Sequence, residues 1–438
     1  MKKPISDQIK RVLIITYYFP PYPCIGAIRP RGLAKYLPEY GWEPVILAPA
    51  LPGKPESYFK VIQTPPYKDI IAFWKEKVGL NPTQGFQEQI GIKKKNSLIT
   101  KITKLIRSIL IYPELEKYWY PLAVSIGHDL LNKEKFDVLL SSSSPITCHL
   151  IAKKLKEIHK IPWIADLRDL WTQEPYYYLQ HPYPWGPIRR LFERHLEVKT
   201  LSAADALVTV SEPWAEMLRL LHRGKPVFTI PNGYDPEEVA SAPLTKEFTI
   251  TYTGRLYEGT RDPTPLLRAI AELIYERKLD RRLIKVRFYG ISDDEYYWLG
   301  KEVKCLGLED IVSLNPPVPR NIALEKQRES QVLLLLIWNN PKEVGVYTGK
   351  VFEYLAAQRP ILAIGGPKSV ITDLLKETNA GIHVLNYDEL KHTLIQFYDE
   401  YKTYGQVIYR GQMDRISKYS HREMARKFAA VLDFVIKR

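Results

Sequence analysis

An α/β protein built from two doubly wound parallel-sheet units follows from two features of the chain. Short apolar runs alternate with helical patterns from end to end, the mark of parallel strands with helices on both faces. The alternation pauses at "PNGYDPEEVASAPLTKE" (231–247), rich in proline, small and acidic residues, and then starts again. Length agrees. A chain of 438 residues exceeds one ordinary core, and roughly two to three domains is the expectation.

The first strand lies in "RVLIITYYF" (11–19). It is followed by "GAIRPRGLAKYLPEYG" (26–41), where Leu33, Tyr36, Leu37 and Tyr40 share a helical face before Gly41 ends it. Further strands are read in "EPVILAP" (43–49), "DVLLSSS" (137–143), "IPWIADL" (161–167) and "ALVTV" (206–210). The second half repeats the plan with "FTITYTG" (248–254), "KVRFYG" (285–290), "IVSLNPP" (311–317), "VLLLLIW" (332–338), "RPILAIGG" (359–366) and "GIHVL" (381–385). Helices such as "TPLLRAIAELIYERKL" and "VITDLLKET" separate them. The last helix, "REMARKFAAVLDFVIKR", has no strand after it and is expected to pack back across the first unit. The expected domains are 1–225, 226–415 and a returning segment, 416–438. Ligands of such sheets bind at the carboxyl ends of the strands, so two facing units would enclose a cleft.

Residues 91–111, "GIKKKNSLITKITKLIRSILI", break the alternation within an expected insertion, 91–120. They hold six basic residues and no acid, and Leu98, Ile102, Leu105, Ile106 and Ile109 line one helical face. Such a helix suits an anionic membrane surface; packing on the core with a solvated basic face is the alternative. The net charge of +14 also points to an anionic partner, whether nucleic acid, phospholipid or a phosphorylated small molecule. Cys24, Cys148 and Cys305 are far apart, without metal-ligand spacing, which fits a reducing compartment. The apolar run Val12 to Phe19 ends in prolines and reads as a strand, not a signal peptide. No stretch reaches the ~18 apolar residues of a spanning helix. The expected location is the cytoplasm, with peripheral contact at the inner face of the cell membrane.

Four loops carry candidate chemistry. After the first strand, Gly26 permits close backbone approach ahead of a helix, an anion site in outline or a plain turn. The G-x-G-x-x-G fingerprint is missing there, which argues against a nicotinamide or flavin enzyme. "YTGRLYEGTRDP" sets Gly254, Arg255, Gly259 and Arg261 on a turn before a helix, where guanidinium forks match phosphate oxygens or form surface ion pairs. In "YTGKVFEYLAAQ", Gly349 frees backbone amides and Lys350 adds charge at a helix start. Glu353, expected in the first turn of that helix, would repel phosphate but can accept two hydrogen bonds from a diol. Phosphate plus ribose describes a nucleotide; the alternative is an acid that stabilises the helix start. Finally, "IPWIADLRDLW" places Asp166, Arg168, Asp169 and Trp171 just beyond a strand, as a ligand cluster or a loop brace.

Taken in order, "YYFPPYPCIGAIRPRGLAKYLPEYGWEPVIL", "WIADLRDLW", "VTVSEPWAEML", "IPNGYD", "YTGRLYEGTRDP" and "GKVFEYLAAQRPILA" resemble the family-4 glycosyltransferases of the GT-B fold, particularly bacterial enzymes of surface-polysaccharide assembly. That fold pairs two facing Rossmann-like domains. The resemblance implies that Glu353 holds the donor ribose, that basic residues of 254–261 hold the diphosphate and that the Gly26 loop closes over the phosphates. It places acceptors on the first domain, which suits Asp166, Arg168 and Asp169. Two departures stand out. The family's second glutamate, eight positions before the ribose-binding one, is here Gly345, with Glu343 out of register; and a position that often holds lysine is Thr260, leaving Arg261 with Arg255 as the phosphate ligands. The histidine-bearing strand end of many relatives is here "SSSSP" (141–145), so no histidine base carries over.

The resulting expectation is a hexosyltransferase using a nucleotide-diphosphate sugar and a glycan or lipid-linked acceptor. It would retain anomeric configuration, with no metal or other cofactor. Arg255, Arg261 and Lys350 would stabilise the leaving diphosphate, with Asp166 and Asp169 on the acceptor side. The alternatives are a nucleotide-sugar epimerase of the same fold, a non-catalytic sugar-binding domain and a basic nucleic-acid-binding protein. The last has no recognised motif in the chain.

Overall fold

The computed structural model describes residues 9–67, 112–174, 185–257 and 260–437. The basic stretch 91–111 and Gly259 lie outside them. One compact unit comprises Met1–Val210, Trp214–Ile230 and Ala425–Arg438; the other comprises Ser211–Pro213 and Pro231–Met424.

The first unit is a seven-stranded sheet: β1 (Lys10–Thr16), β2 (Trp42–Ala48), β3 (Lys60–Gln63), β4 (Val138–Ser143), β5 (Trp163–Leu167), β6 (Ala206–Thr209) and β7 (Val227–Thr229). Their order is β3-β2-β1-β4-β5-β6-β7, and every pairing is parallel. Strands covered on both faces read as unbroken apolar runs, and Val12, Leu13, Ile14 and Ile15 are fully buried. The edge strands β3 and β7 read "KVIQ" and "VFT" and are only half covered, so the sequence pattern passes over both. The helix Ile28–Tyr36 gives way to a 3-10 turn at Leu37–Tyr40 that contains Pro38, and Gly41 closes it at φ +78°. From the chain's end, Asp433 accepts a hydrogen bond from the Trp42 indole at 3.2 Å, and Phe428 lies 4.9 Å beneath the Arg29 guanidinium.

The second unit holds β8 (Phe248–Thr253), β9 (Ile284–Tyr289), β10 (Val312–Asn315), β11 (Val332–Leu336), β12 (Ile361–Ile364) and β13 (Gly381–Val384). They are ordered β10-β9-β8-β11-β12-β13 and are again parallel. Successive β11 residues feed opposite faces, as strand geometry requires. Val332, Leu334 and Leu336 join one core with Ile250 and Tyr252, while Leu333 and Leu335 join the other with Ile361 and Phe352. Each sheet reverses its strand order once, at β1/β4 and at β8/β11. In a doubly wound sheet that reversal opens the crevice where ligands bind.

Candidate active site

At the first reversal the polar groups satisfy one another. Asp166 lies within β5, not beyond it, and is fully buried. It accepts from Arg29 Nε at 3.0 Å and Nη2 at 2.9 Å, and from Ser142 Oγ at 2.7 Å. Arg168 donates to the carbonyls of Ser143 (2.6 Å), Ser144 (2.7 Å) and Gly26. A Cβ on Gly26 would stand 3.0 Å from Arg168 Nη1 and 3.0 Å from the Tyr18 ring. The close approach that Gly26 permits is therefore to Arg168. Asp166 and Arg168 thus face inward and brace the strand ends, the second of the two readings the sequence leaves open. Asp169 alone of the three is exposed. It accepts from the Ser144 amide, while the protein crowded around it holds its carboxyl above the ordinary range against the pull of Arg168. Glu174, which sequence reading missed, is raised to about 7 by desolvation and then by the Asp169 charge.

The helix after β4, Thr147–His159, also has its N-terminus occupied. Glu114 accepts from Ile146 N at 3.1 Å, Thr147 N at 2.6 Å and Thr147 Oγ1 at 2.5 Å. A carboxylate thus sits where helix amides would hold a bound anion. Desolvation outweighs those bonds and pushes Glu114 to about 7. His149 is buried behind this loop. Ser141 Oγ accepts from the Trp163 indole at 2.7 Å and lies 2.7 Å from His149 Nδ1, and burial drives the imidazole down to about 3. A neutral, enclosed ring is no general base at neutral pH.

The second reversal is arranged differently. β8 ends at Gly254, φ +118°, and a Cβ there would meet Lys350 Cε at 2.4 Å and Nζ at 2.8 Å. Gly290, φ +95°, ends β9 so close that its Cβ would fall 3.0 Å from Gly254 Cα. Both positions need glycine, for conformation and for space. The Lys350 ammonium lies 5.1 Å from the Tyr252 ring centroid. The guanidinium groups of Arg261 and Arg255 lie 5.0 and 5.5 Å from the Tyr257 ring. The loop is pinned from below by Glu295, which accepts from Leu256 N and Tyr257 N at 2.8 Å each and from Ser292 N at 2.9 Å. Tyr257 and Glu295 gave no sequence signal: one is a loop aromatic, the other sits in an acidic helix start like many others.

Burial, then the neighbouring Arg261 charge, pushes Lys350 down to about 7, with Glu353 and Glu295 pulling it up. The helix Gly349–Ala357 starts here with no side-chain cap. The Thr348 hydroxyl is buried without a hydrogen-bond partner among the described residues. A helix start without a side-chain cap beside crowded cations has the features of an anion site. Glu353 falls in the second turn of this helix, one turn later than expected, because the helix begins at Gly349. Its carboxylate lies 3.4 Å from Arg320 Nε and accepts from Gln327 Nε2 at 3.3 Å. Gln327 in turn donates to Thr253 Oγ1 at 2.9 Å. Glu343, ten residues before it, is 4% exposed, and desolvation raises it to about 7. Gly254, Arg255, Arg261, Gly349, Lys350 and Glu353 thus belong to the second unit, and Gly26, Asp166, Arg168 and Asp169 to the first.

Two parallel sheets of this order, with the structural likenesses below, show that the chain has the GT-B fold. Residues 94–238 match the family model described as Glycosyltransferase Family 4. Among solved structures, the chain is similar to sucrose-phosphate synthase from Thermosynechococcus elongatus, with a TM-score of 0.64 at 13% identity over 98% of this chain and 99% of that one. It is also similar to Anabaena HepE in complex with UDP and glucose, with a TM-score of 0.60 at 12% identity over 97% and 100%. A third likeness is to the Escherichia coli protein described as trehalose-6-phosphate bound with UDP-2-fluoro glucose, with a TM-score of 0.58 at 14% identity over 97% and 99%. No curated protein sequence matches the chain.

Proposed function

We propose that the chain transfers a hexose-type sugar from a nucleotide-diphosphate donor to a glycan or lipid-linked acceptor in cell-surface polysaccharide synthesis. The reading rests first on the second reversal point, where Lys350, Arg261 and Arg255 meet an uncapped helix start beside a glycine-shaped strand end. A diphosphate would relieve the repulsion between those cations. As the sugar bond breaks, the same groups stabilise the charge growing on the leaving phosphate. They supply the fixed positive charge that a metal ion would otherwise bring, so the reading is metal-independent. Glu353, set one turn beyond the phosphate-facing amides, takes the ribose hydroxyls, with Arg320 swinging aside or holding it from behind.

Retention is part of the same reading: a leaving phosphate held on one face would accept the acceptor's proton on that face. No protein base is then needed, in keeping with the neutral His149. On the first unit, Asp169 and Glu174 are the carboxyls available to acceptor hydroxyls, while Asp166 and Arg168 hold the loop. Contact with an anionic membrane surface through 91–111 would bring a lipid-linked acceptor within reach.

The test is a thermal-shift panel of nucleotide diphosphates and nucleotide sugars. A donor at 100 times its Kd stabilises by ~2.7 kcal/mol, enough to rank candidates before an acceptor is known. A flat response to every nucleotide diphosphate would refute the donor assignment.

A further inference from the structure

The first unit carries an exposed apolar stripe in its described part, separate in sequence from 91–111. The helix Trp185–Leu201 leaves Ile188, Leu191 and Phe192 exposed, at 46%, 72% and 65%, with Val198 at 38%. Spacings of three, four and seven place these residues on one helical face. The charges on the helix are sorted as well. Both acids point inward, Glu193 at 3% exposure and Glu197 at 0%. Every exposed charged or titratable side chain on it is basic or histidine: Arg194, His195 and Lys199.

The surroundings continue this pattern. Right-handed crossovers from β3 to β4, β4 to β5 and β5 to β6 put the helices Tyr120–Lys133, Thr147–His159 and Trp185–Leu201 in one layer, and neighbours in it pack together. Their outer sides therefore share one face of the unit. Between the first two helices lies a groove of about 460 Å³ lined by Lys117, Lys153, Lys154 and Glu157. Glu157 is paired with Lys153 at 3.2 Å. Tyr112, where the chain emerges from the basic stretch, has its ring 5.5 Å from the Arg189 guanidinium of the apolar helix.

We infer that this helix layer docks on an anionic lipid surface, with Ile188, Leu191 and Phe192 entering the headgroup boundary and Arg194 and Lys199 meeting lipid phosphates. A protein partner would account for the apolar stripe but not for the sorting of charge on this helix, where both acids are buried and the exposed charged side chains are basic. The inference stands apart from the nucleotide assignment and from 91–111.

Co-sedimentation of the full chain with phosphatidylglycerol–phosphatidylethanolamine vesicles, against pure phosphatidylcholine, tests it. Leu191→Ser with Phe192→Ser should weaken binding by at least about tenfold, from the apolar area withdrawn, with 91–111 intact. Arg194→Gln with Lys199→Gln should cost about fivefold per charge and flatten the salt dependence. Both pairs are exposed, so melting temperature and donor-induced shift should hold and report folding independently. Equal binding by wild type and the Leu191/Phe192 variant would overturn the proposal. So would wild-type binding no tighter to anionic than to neutral vesicles. Loss of a dimer in light scattering without any change in vesicle binding would assign the stripe to a second copy instead.

Discussion

The two reversal points occupy equivalent places in sheets of the same order, yet their electrostatics are opposite. At β1/β4, Asp166 is paired with Arg29, Arg168 satisfies three carbonyls and Glu114 occupies the N-terminus of the following helix. At β8/β11, Lys350 and Arg261 repel one another beside a helix start without a cap. One crevice has been filled from within; the other keeps a buried lysine beside an arginine, which a bound anion would stabilise. This difference argues that the donor diphosphate belongs to the second unit, although both units share a topology suited to phosphate.

The comparison can be broken from the filled side, where the effect is largest. Asp166→Asn removes one member of a buried ion pair and should cost about 3–5 kcal/mol of stability. It should appear as a lowered melting temperature while the nucleotide diphosphate still binds below that temperature. A variant that keeps its melting temperature but loses nucleotide binding would make Asp166 a ligand contact.

Glu114→Ala strips the carboxylate from the helix Thr147–His159 and leaves buried donors unpaired, at about 1–3 kcal/mol. Added inorganic phosphate should then stabilise the variant more than wild type, because the freed amides become an anion site. No extra phosphate response would show that geometry, not occupancy, separates the two crevices.

Glu353→Gln sharpens the open side with a smaller effect. Losing the charge in its bonds to two ribose hydroxyls should weaken nucleotide diphosphate binding at least tenfold, or ~1.4 kcal/mol. The melting temperature of the free protein should hardly change, since its partner Arg320 is half exposed. A 2′,3′-dideoxy nucleotide should bind wild type weakly and be nearly blind to the substitution. Unchanged affinity by calorimetry would leave Glu353 as a helix residue beside Arg320.

Much of this arrangement can be read from residue order alone. All eleven long apolar strand runs become strands, because burial on both faces writes itself into composition; only β3 and β7, edge strands with mixed residues, escape. Gly254, Arg261 and Lys350 stand out in the sequence because glycine and positive charge before a helix have few structural substitutes, and the structure brings the three together. The inward turn of Asp166 and Arg168 could not be seen, since an Asp-Leu-Arg stretch looks the same whether its partner is a ligand or Arg29. Glu114 and Glu295 act on loops 32 and 39 residues away in sequence, and no local pattern announces such contacts. The one-turn shift of Glu353 came from reading the helix start too late in the chain.

Protonation of Lys350 links these observations to donor binding. In the free protein it titrates near 7, well below its ordinary 10.5. The unfolded chain therefore binds more protons between about pH 7 and 10.5, and this group's contribution to stability rises across that window as its unfavourable buried charge is lost. A diphosphate reverses the balance by favouring the charged form, so binding should be tightest below pH 7 and weaken as pH rises through it. Calorimetric titration of a nucleotide diphosphate near pH 8, in buffers of different ionisation enthalpy, counts the protons taken up. The account predicts an uptake approaching one proton for wild type. In Lys350→Gln it predicts none, with affinity reduced about 10–100-fold by the lost charged contact. Tight binding by that variant, or wild-type binding without proton uptake, would contradict the placing of the diphosphate at Lys350.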